Sequence, residues 1–203
     1  MTAQSNASIR SNETSLAEAF TDSTMLGLIA RYGELRLKCR PPFVVLSRSI
    51  IAQQISTKAA DTIRSRFVER FGLSSSAVGN TTLISLRELG ISEGKALCLQ
   101  DVAARVTKGE FDEFDSLSDD AVVGRLRAIK GIGQWTAQMF LIFSLARPDV
   151  WPLTDAGLRV AAIRLYGANS SPAINELGSR FAPRRSVAAL YLWKSLENCG
   201  SNP

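Results

Sequence analysis

The chain has 203 residues, 45% of them hydrophobic, which is enough to bury one sizeable core. Its 24 Lys and Arg outnumber its 19 Asp and Glu, and the resulting net charge of +5 fits an anionic partner. The absence of His excludes His-based acid–base catalysis and His ligation of a metal, and no apolar run reaches the roughly 18 residues of a membrane span.

The first residues and the cysteines set the expected domain and compartment. Residues 1–15 are rich in Ser, Asn and Thr, which predicts a disordered tail in front of one helical domain over 16–203. Cys39, Cys98 and Cys199 are far apart and match no metal-binding spacing, so we expect free thiols in a reducing compartment. The expected location is the cytoplasm (nucleoid) of a bacterium or the nucleus of a eukaryote.

Helical periodicity runs through nearly the whole chain, and no alternating strand pattern persists. Prolines and glycines mark the breaks, as at Pro41-Pro42, Gly109 and Gly167. The fold is therefore predicted to be all-α. The predicted helices cover roughly 16–31, 42–54, 57–71, 81–88, 93–108, 119–129, 134–146, 155–166, 172–180 and 184–198.

Gly131 and Gly133 lie between two of these predicted helices. Gly131 can adopt the backbone conformations that end a helix, and Gly133 lets a phosphate approach the backbone closely. The amides from Gly133 to Thr136 open the next helix without internal partners, which makes an anion site, and Lys130 adds positive charge beside it. The hairpin at about 119–146 is predicted to bind phosphate, although Gly-Ile-Gly by itself is usually a simple turn.

Asp155 follows the hairpin at the predicted start of another helix. Taken alone, an acidic residue there is interpreted as a helix cap worth about 1 kcal/mol. The helix dipole also stabilises the ionised carboxylate, and an anion near a phosphate-binding hairpin would suit an enzyme that grips DNA and acts on one nucleotide. The residues alone leave both interpretations open.

Several segments together resemble the helix-hairpin-helix-GPD superfamily of DNA glycosylases, and within it the 3-methyladenine DNA glycosylase II type. The similarity runs in the family's order over roughly Leu37 to Trp193. The segments are I-I-A-Q-Q-I-S-T-K-A-A (50–60), L-G-I-S-E-G-K-A-L-C-L (89–99), K-G-I-G-Q-W-T-A (130–137), W-P-L-T-D-A-G-L-R (151–159) and R-F-A-P-R-R-S-V-A-A-L-Y-L-W (180–193).

The resemblance implies two helical lobes around a DNA-binding cleft. The family's N-terminal β-lobe is not expected, because too little sequence precedes the helices. The implied activity is excision of alkylated purines, 3-methyladenine and 7-methylguanine, from duplex DNA in base excision repair. Asp155 is the expected catalytic residue, since hydrolysis of an N-glycosidic bond builds positive charge on the sugar. We expect a monomer that acts on damaged duplex DNA, with no membrane association.

Trp135 stands where strand-nicking members of the superfamily carry a lysine that forms a Schiff base with the sugar. The resemblance therefore implies a monofunctional enzyme that uses water and has no lyase activity. Iron–sulfur members carry four C-terminal cysteines, whereas this chain has only Cys199 there. No cofactor is expected.

The resemblance also implies residues for the base and for DNA. Gln54 matches a position whose side chain can fill the gap left by a flipped base. The candidate base pocket comprises Trp135, Met139, Phe181 and Trp193, each of which could instead be a core residue. The candidate DNA contacts are Gln53, Gln54, Lys130, Gly131, Gly133, Thr136, Arg159, Arg184 and Arg185. No metal ligand set is expected, apart from a candidate sodium or potassium site at the backbone carbonyls of Arg127, Ile129 and Ile132.

Three alternatives stay open at this stage. A glycosylase of the same kind could act on another lesion, such as hypoxanthine or an oxidised purine. A helix-hairpin-helix protein could bind DNA without catalysis, although Asp155 would then have no role in binding. An unrelated helical regulator fits the composition but leaves the ordered series of motifs unexplained.

Overall fold

The computed structural model describes residues 20–197. The predicted disordered tail, 1–15, and Cys199 lie outside these described residues. No helix between residues 20 and 197 is both long enough and apolar enough to cross a membrane.

The described residues form helices and loops, with no strand among them, as the periodicity predicted. A short 3-10 turn, Phe114–Ser116, precedes the seventh helix. The α-helices are α1 Ser23–Tyr32, α2 Pro42–Ala52, α3 Thr57–Phe71, α4 Ser75–Gly79, α5 Leu83–Arg87, α6 Glu93–Thr107, α7 Asp119–Arg127, α8 Gln134–Phe143, α9 Ala156–Tyr166, α10 Ser171–Arg180 and α11 Arg185–Glu197.

Side-chain caps set most helix starts. Ser118 accepts the backbone N–H of Ala121, as the sequence predicted for the start of α7. Asp22 caps α1 in the same way, so this helix begins at residue 23 rather than near 16. Ser74 caps α4, a short helix that was missed because its run of serines was interpreted as a break.

Two helices end earlier than predicted because a residue leaves the helical conformation. After α2, Gln53 has ψ 130° and Gln54 has φ +56°. After α8, Ala146 has φ +50°, three residues beyond Phe143. A positive φ is uncommon for a residue with a side chain, so apolar periodicity gave no warning of these ends.

Two hydrophobic clusters divide the helices. The first lobe, α2 to α8, buries residues such as Leu46, Leu126 and Phe140, and the second lobe, α1 with α9 to α11, buries residues such as Leu158 and Tyr191. Full burial of one such apolar side chain contributes about 1.5–3 kcal/mol to folding. Trp193 on α11 packs against both clusters and therefore lies at the junction of the lobes.

The segment between α8 and α9 fastens the two lobes together. Asp149 makes a two-bond ion pair with Arg185 at the start of α11, with N–O distances of 2.7 and 2.8 Å. The buried hydroxyl of Ser186 accepts from the Val150 amide at 2.9 Å. These hydrogen bonds thus hold the two lobes together at this side of the cleft.

Candidate active site

The carboxylate of Asp155 lines the cleft and is held there by three hydrogen bonds. It caps α9, where Oδ1 accepts the backbone N–H of Leu158 at 2.6 Å. Oδ1 also accepts from the indole N–H of Trp193 at 2.8 Å, and Oδ2 accepts from the indole N–H of Trp135 at 2.8 Å. The capping interpretation and the catalytic one are compatible, because the cap uses only one of these three bonds.

These three donors fix the carboxylate in one orientation. An ionised carboxylate offers about four acceptor positions, and two are occupied on Oδ1 and one on Oδ2. Bonds from N–H donors to a charged acceptor are among the stronger ones in proteins, and the N-terminus of α9 favours negative charge at the same point. One acceptor position on Oδ2 remains for a water molecule or the sugar.

Gly157 leaves the room that this arrangement needs. A Cβ at this position would lie 3.2 Å from Cδ1 of Trp193 and 3.3 Å from Oδ1 of Asp155. Both distances are tighter than ordinary contacts, so a larger residue would press on the hydrogen bond between the indole and the carboxylate. We call the pair of hydrogen bonds from Trp135 and Trp193 to Asp155 the two-indole clamp. Neither this clamp nor the glycine was predicted from the sequence.

A main cavity of about 820 Å³ opens in front of Asp155. Its walls come from both lobes: the loop from α2 to α3 at 52–57, the start of α9 at 154–157, and the indoles of Trp135 and Trp193. Its size lies in the range of ligand-binding clefts. The cavity therefore has room for a nucleotide that has left a duplex.

A side pocket of about 260 Å³ adjoins the main cavity and shares Ala52, Arg64 and Trp135 with it. Met139 and Phe143 of α8 form much of its apolar wall, together with Val45. Arg40, Arg48 and Ser49 complete the lining. The structure thus places Trp135 and Met139, two of the four candidate base-pocket residues, in the lining of one pocket.

The hairpin between α7 and α8 has the predicted backbone. Gly131 has φ +97°, and a Cβ there would lie 3.0 Å from the side chain of Cys98. Gly133 is the N-cap of α8 and supplies no side-chain cap, and nothing lies within 4 Å of the position of its missing Cβ. Open amides at a helix start and an unobstructed approach are what a phosphate requires. Lys130 beside them is exposed.

Gln53 connects this hairpin to the end of α2. Its side-chain Nε2 donates to the carbonyl oxygen of Gly131 and to Oγ1 of Thr136, each at 3.0 Å. Thr136 is buried, and its hydroxyl accepts this hydrogen bond from Gln53. Gln54, the next residue, is exposed and lines the main cavity.

Lys95 of α6 is a supporting residue that the sequence reasoning missed. Its Nζ donates to the carbonyl oxygens of Ile51 at 2.9 Å and Gln53 at 2.7 Å. Cations at a helix C-terminus satisfy its free carbonyls, and burial lowers the pKa of Lys95 from its ordinary value. The bond therefore fixes the loop that carries Gln54. No signal in the local sequence pairs α6 with that loop.

Other predicted residues lie elsewhere. Phe181 is buried in the second lobe, with its ring 6.0 Å from that of Trp151 and 5.9 Å from that of Tyr166, so it does not line either cavity. Its place at the end of α10 directs it into that core. Arg159 donates to Ser171 at 3.1 Å.

The candidate monovalent cation site involves backbone alone. The carbonyl of Ile129 accepts the amide of Ile132 at 3.1 Å, which leaves it one further acceptor position. Between residues 20 and 197, no group of three Cys, Asp or Glu side chains is arranged to hold a metal ion.

The chain is similar in sequence to known DNA repair proteins. The sequence model of the HhH-GPD superfamily of base excision DNA repair proteins matches residues 47–182. DNA-3-methyladenine glycosylase 1 of Schizosaccharomyces pombe is 31% identical over 182 residues, which are 84% of this chain and 80% of that protein.

Two solved structures have the same fold. A DNA-3-methyladenine glycosidase from Bacillus halodurans is 36% identical with a TM-score of 0.68, over 88% of this chain and 87% of that one. A 3-methyladenine DNA glycosylase from Schizosaccharomyces pombe in complex with abasic DNA is 28% identical with a TM-score of 0.78, over 91% of this chain and 97% of that one.

Proposed function

The chain belongs to the HhH-GPD superfamily of base excision DNA repair proteins, and from this we propose that it is a DNA glycosylase that excises alkylated purines from duplex DNA. The bond that breaks is the N-glycosidic bond of 3-methyladenine or 7-methylguanine. One observation carries the proposal: the carboxylate of Asp155 is held by two indoles and a helix start at the edge of a nucleotide-sized cavity.

The reaction needs an anion rather than a strong acid. Departure of the base leaves an oxocarbenium-like sugar, and the fixed charge of Asp155 stabilises it without having to reorganise. Alkylated purines already carry positive charge, so they leave with little help from an acid. The free acceptor position on Oδ2 can orient the attacking water and take up its proton.

Water, and not an amine, is the proposed nucleophile. The position of the lyase lysine is occupied by Trp135, whose indole is bound to the carboxylate, and the residues that line the main cavity include no lysine. A Schiff base needs an amine within reach of the sugar. The product is therefore an abasic site in an intact strand.

Duplex DNA is held, in this proposal, by the hairpin and by the loop after α2. The open amides at the start of α8 bind a backbone phosphate, and Lys130 supplies charge beside them. Gln54 enters the base stack from the rim of the main cavity, which offsets part of the cost of unstacking. Arg159 and Arg184 are further candidates for phosphate contacts, whereas Arg185 is engaged in the ion pair with Asp149. The enzyme acts as a monomer, in the compartment that holds the DNA.

The test is release of free base from methylated duplex DNA by the unchanged protein and by Asp155→Asn. The variant should bind DNA and release base at least about 100-fold more slowly. Asp22→Asn is the matched control, because Asp22 also caps a helix but lies outside the cavity. It should keep the full rate.

The alternatives give different results in the same assay. Equal release by both proteins would make Asp155 a cap only and refute the mechanism. Release from hypoxanthine or oxidised purines alone would change the substrate. DNA binding without release of any base would leave a non-catalytic DNA-binding protein. Strand cleavage without alkali would refute the argument from Trp135.

A further inference from the structure

Three arginines are among the residues that line the side pocket. Arg40 precedes α2, Arg48 lies within α2, and Arg64 lies on α3. Most of the other lining residues are apolar or aromatic, with Phe143 and Trp135 among them. A flat ring that entered past Trp135 would therefore have apolar surfaces against it and guanidinium groups at its edge.

The three guanidinium groups are not equally engaged. Arg64 pairs with Asp61, and Arg40 lies over the ring of Phe143, with its guanidinium carbon 5.9 Å from the ring centroid. Within residues 20–197, the guanidinium of Arg48 makes no hydrogen bond. Its donors are therefore available to a ligand.

Positive charge in this corner is only partly balanced. Burial lowers the pKa of Arg48, and the charges of Arg64 and Arg40 lower it further, while Asp61 acts in the opposite direction. No acidic side chain lines the side pocket. At the edge of a base that lies there, an atom that accepts hydrogen bonds is thus favoured, and an additional donor is not.

Purines differ at the atom that would meet these groups. Guanine and hypoxanthine have a carbonyl oxygen at C6, which accepts hydrogen bonds, whereas adenine has an amine there, which donates them. Arginine has only donors. Arg48 and Arg40 can donate hydrogen bonds to the carbonyl, but they would place donors against the amine, which is itself a donor.

We propose that Arg48, assisted by Arg40, makes this enzyme selective for damaged purines with a carbonyl at C6, such as 7-methylguanine and hypoxanthine, over 3-methyladenine. The proposal rests on the proposed function, because it assumes that a damaged base is excised. In this arrangement Arg48 contacts the base and not a DNA phosphate. The apolar walls of the side pocket favour the base, since a phosphate would lose its water against Val45 and Met139.

The test compares two bases released from one substrate. Methylated duplex DNA contains both 7-methylguanine and 3-methyladenine, so chromatography of the released bases gives both single-turnover rates from the same tube. A second duplex carries one hypoxanthine. The proteins are the unchanged chain, Arg48→Gln and Arg66→Gln; Arg66 is an exposed arginine of α3 that lines neither cavity.

We expect Arg48→Gln to release 7-methylguanine and hypoxanthine about tenfold more slowly, as for other losses of an arginine contact to a purine carbonyl. Release of 3-methyladenine should stay within about threefold or rise, because its C6 amine cannot accept a hydrogen bond from Arg48, whereas the carbonyl of the new glutamine can accept one from that amine. Arg66→Gln should leave every rate unchanged. Thermal denaturation checks that both variants are folded.

Two results would overturn the proposal. An equal fall for all three bases, with weaker and less salt-dependent DNA binding, would make Arg48 a phosphate contact. Unchanged rates would mean that Arg48 does not meet the base. If the unchanged chain released none of the three bases, the proposed function itself would fail, which is a distinct outcome.

Discussion

Replacing Gly157 with alanine separates the stability of α9 from the geometry of the carboxylate. Gly157 is the second residue of α9 and does not have a positive φ. Alanine is intrinsically favoured over glycine in a helix by about 1 kcal/mol. The added Cβ, however, would lie 3.2 Å from Cδ1 of Trp193 and 3.3 Å from Oδ1 of Asp155.

The expected loss of rate follows from the hydrogen bond that the new methyl group disturbs. The indole of Trp193 donates to Oδ1 of Asp155 at 2.8 Å, and the added methyl group forces a shift of a few tenths of an ångström at this contact. A hydrogen bond to a charged group contributes about 1.5–3 kcal/mol. Its loss in the transition state corresponds to roughly 10- to 100-fold in rate.

Single-turnover release of 7-methylguanine measures the rate, and thermal denaturation measures the stability. We expect Gly157→Ala to be at least about tenfold slower with a free energy of unfolding within about 1 kcal/mol of the original. Gly94→Ala is the matched control, because Gly94 is also the second residue of its helix but has open space where the Cβ would lie. It should keep the original rate.

A double-mutant cycle makes this prediction sharper. In a Trp193→Phe background the hydrogen bond is already absent, so adding Gly157→Ala should slow the reaction little further. An unchanged rate in Gly157→Ala alone, or full additivity of the two substitutions, would refute the reasoning that the indole positions the carboxylate.

Two further predictions concern residues behind the site. Lys95→Met removes the donor to two carbonyls at the end of α2, so it should lower the free energy of unfolding by about 1–3 kcal/mol in chemical denaturation. The control is Lys108→Met, at an exposed lysine, which should have no effect. Equal stability of the two variants would contradict the role of Lys95. Burial, with a smaller effect of Asp101, raises the pKa of Cys98 to about 11. Because the thiolate is the reactive form, iodoacetamide at pH 8 should label the exposed Cys39 and spare Cys98 until the protein is unfolded. Peptide mass spectrometry measures the labelling of each cysteine, and labelling of Cys98 in the folded protein would contradict this prediction.

The features that were predicted from the sequence are local in the chain. Gly131 has the positive φ expected of a residue between two helices, and Ser118 caps α7 as predicted. The cap that Asp155 gives α9 is also local, since its partner amide is three residues away. Turn and cap geometries depend on neighbouring residues, so a single sequence contains enough information for them.

The arrangement around the carboxylate could not be predicted in this way. Trp135 and Trp193 reach Asp155 from helices far apart in the chain, and the sequence offers no pattern for such a meeting. Phe181 illustrates the same limit, because an aromatic residue at a matching position turned out to lie in the second core. Arg48 lies within α2 and belongs to no recognised motif, so its proposed contact with the base follows only from the pocket that it lines.

The two indole hydrogen bonds also make the position of the Asp155 carboxylate depend on the folding of both lobes. Trp135 belongs to the first lobe and Asp155 begins a helix of the second, while Trp193 packs against both. A chain in which only the first lobe has folded would still display the hairpin, yet its acid would lack one or both indole partners. Under the proposed function, excision of a base would then require that both lobes have folded.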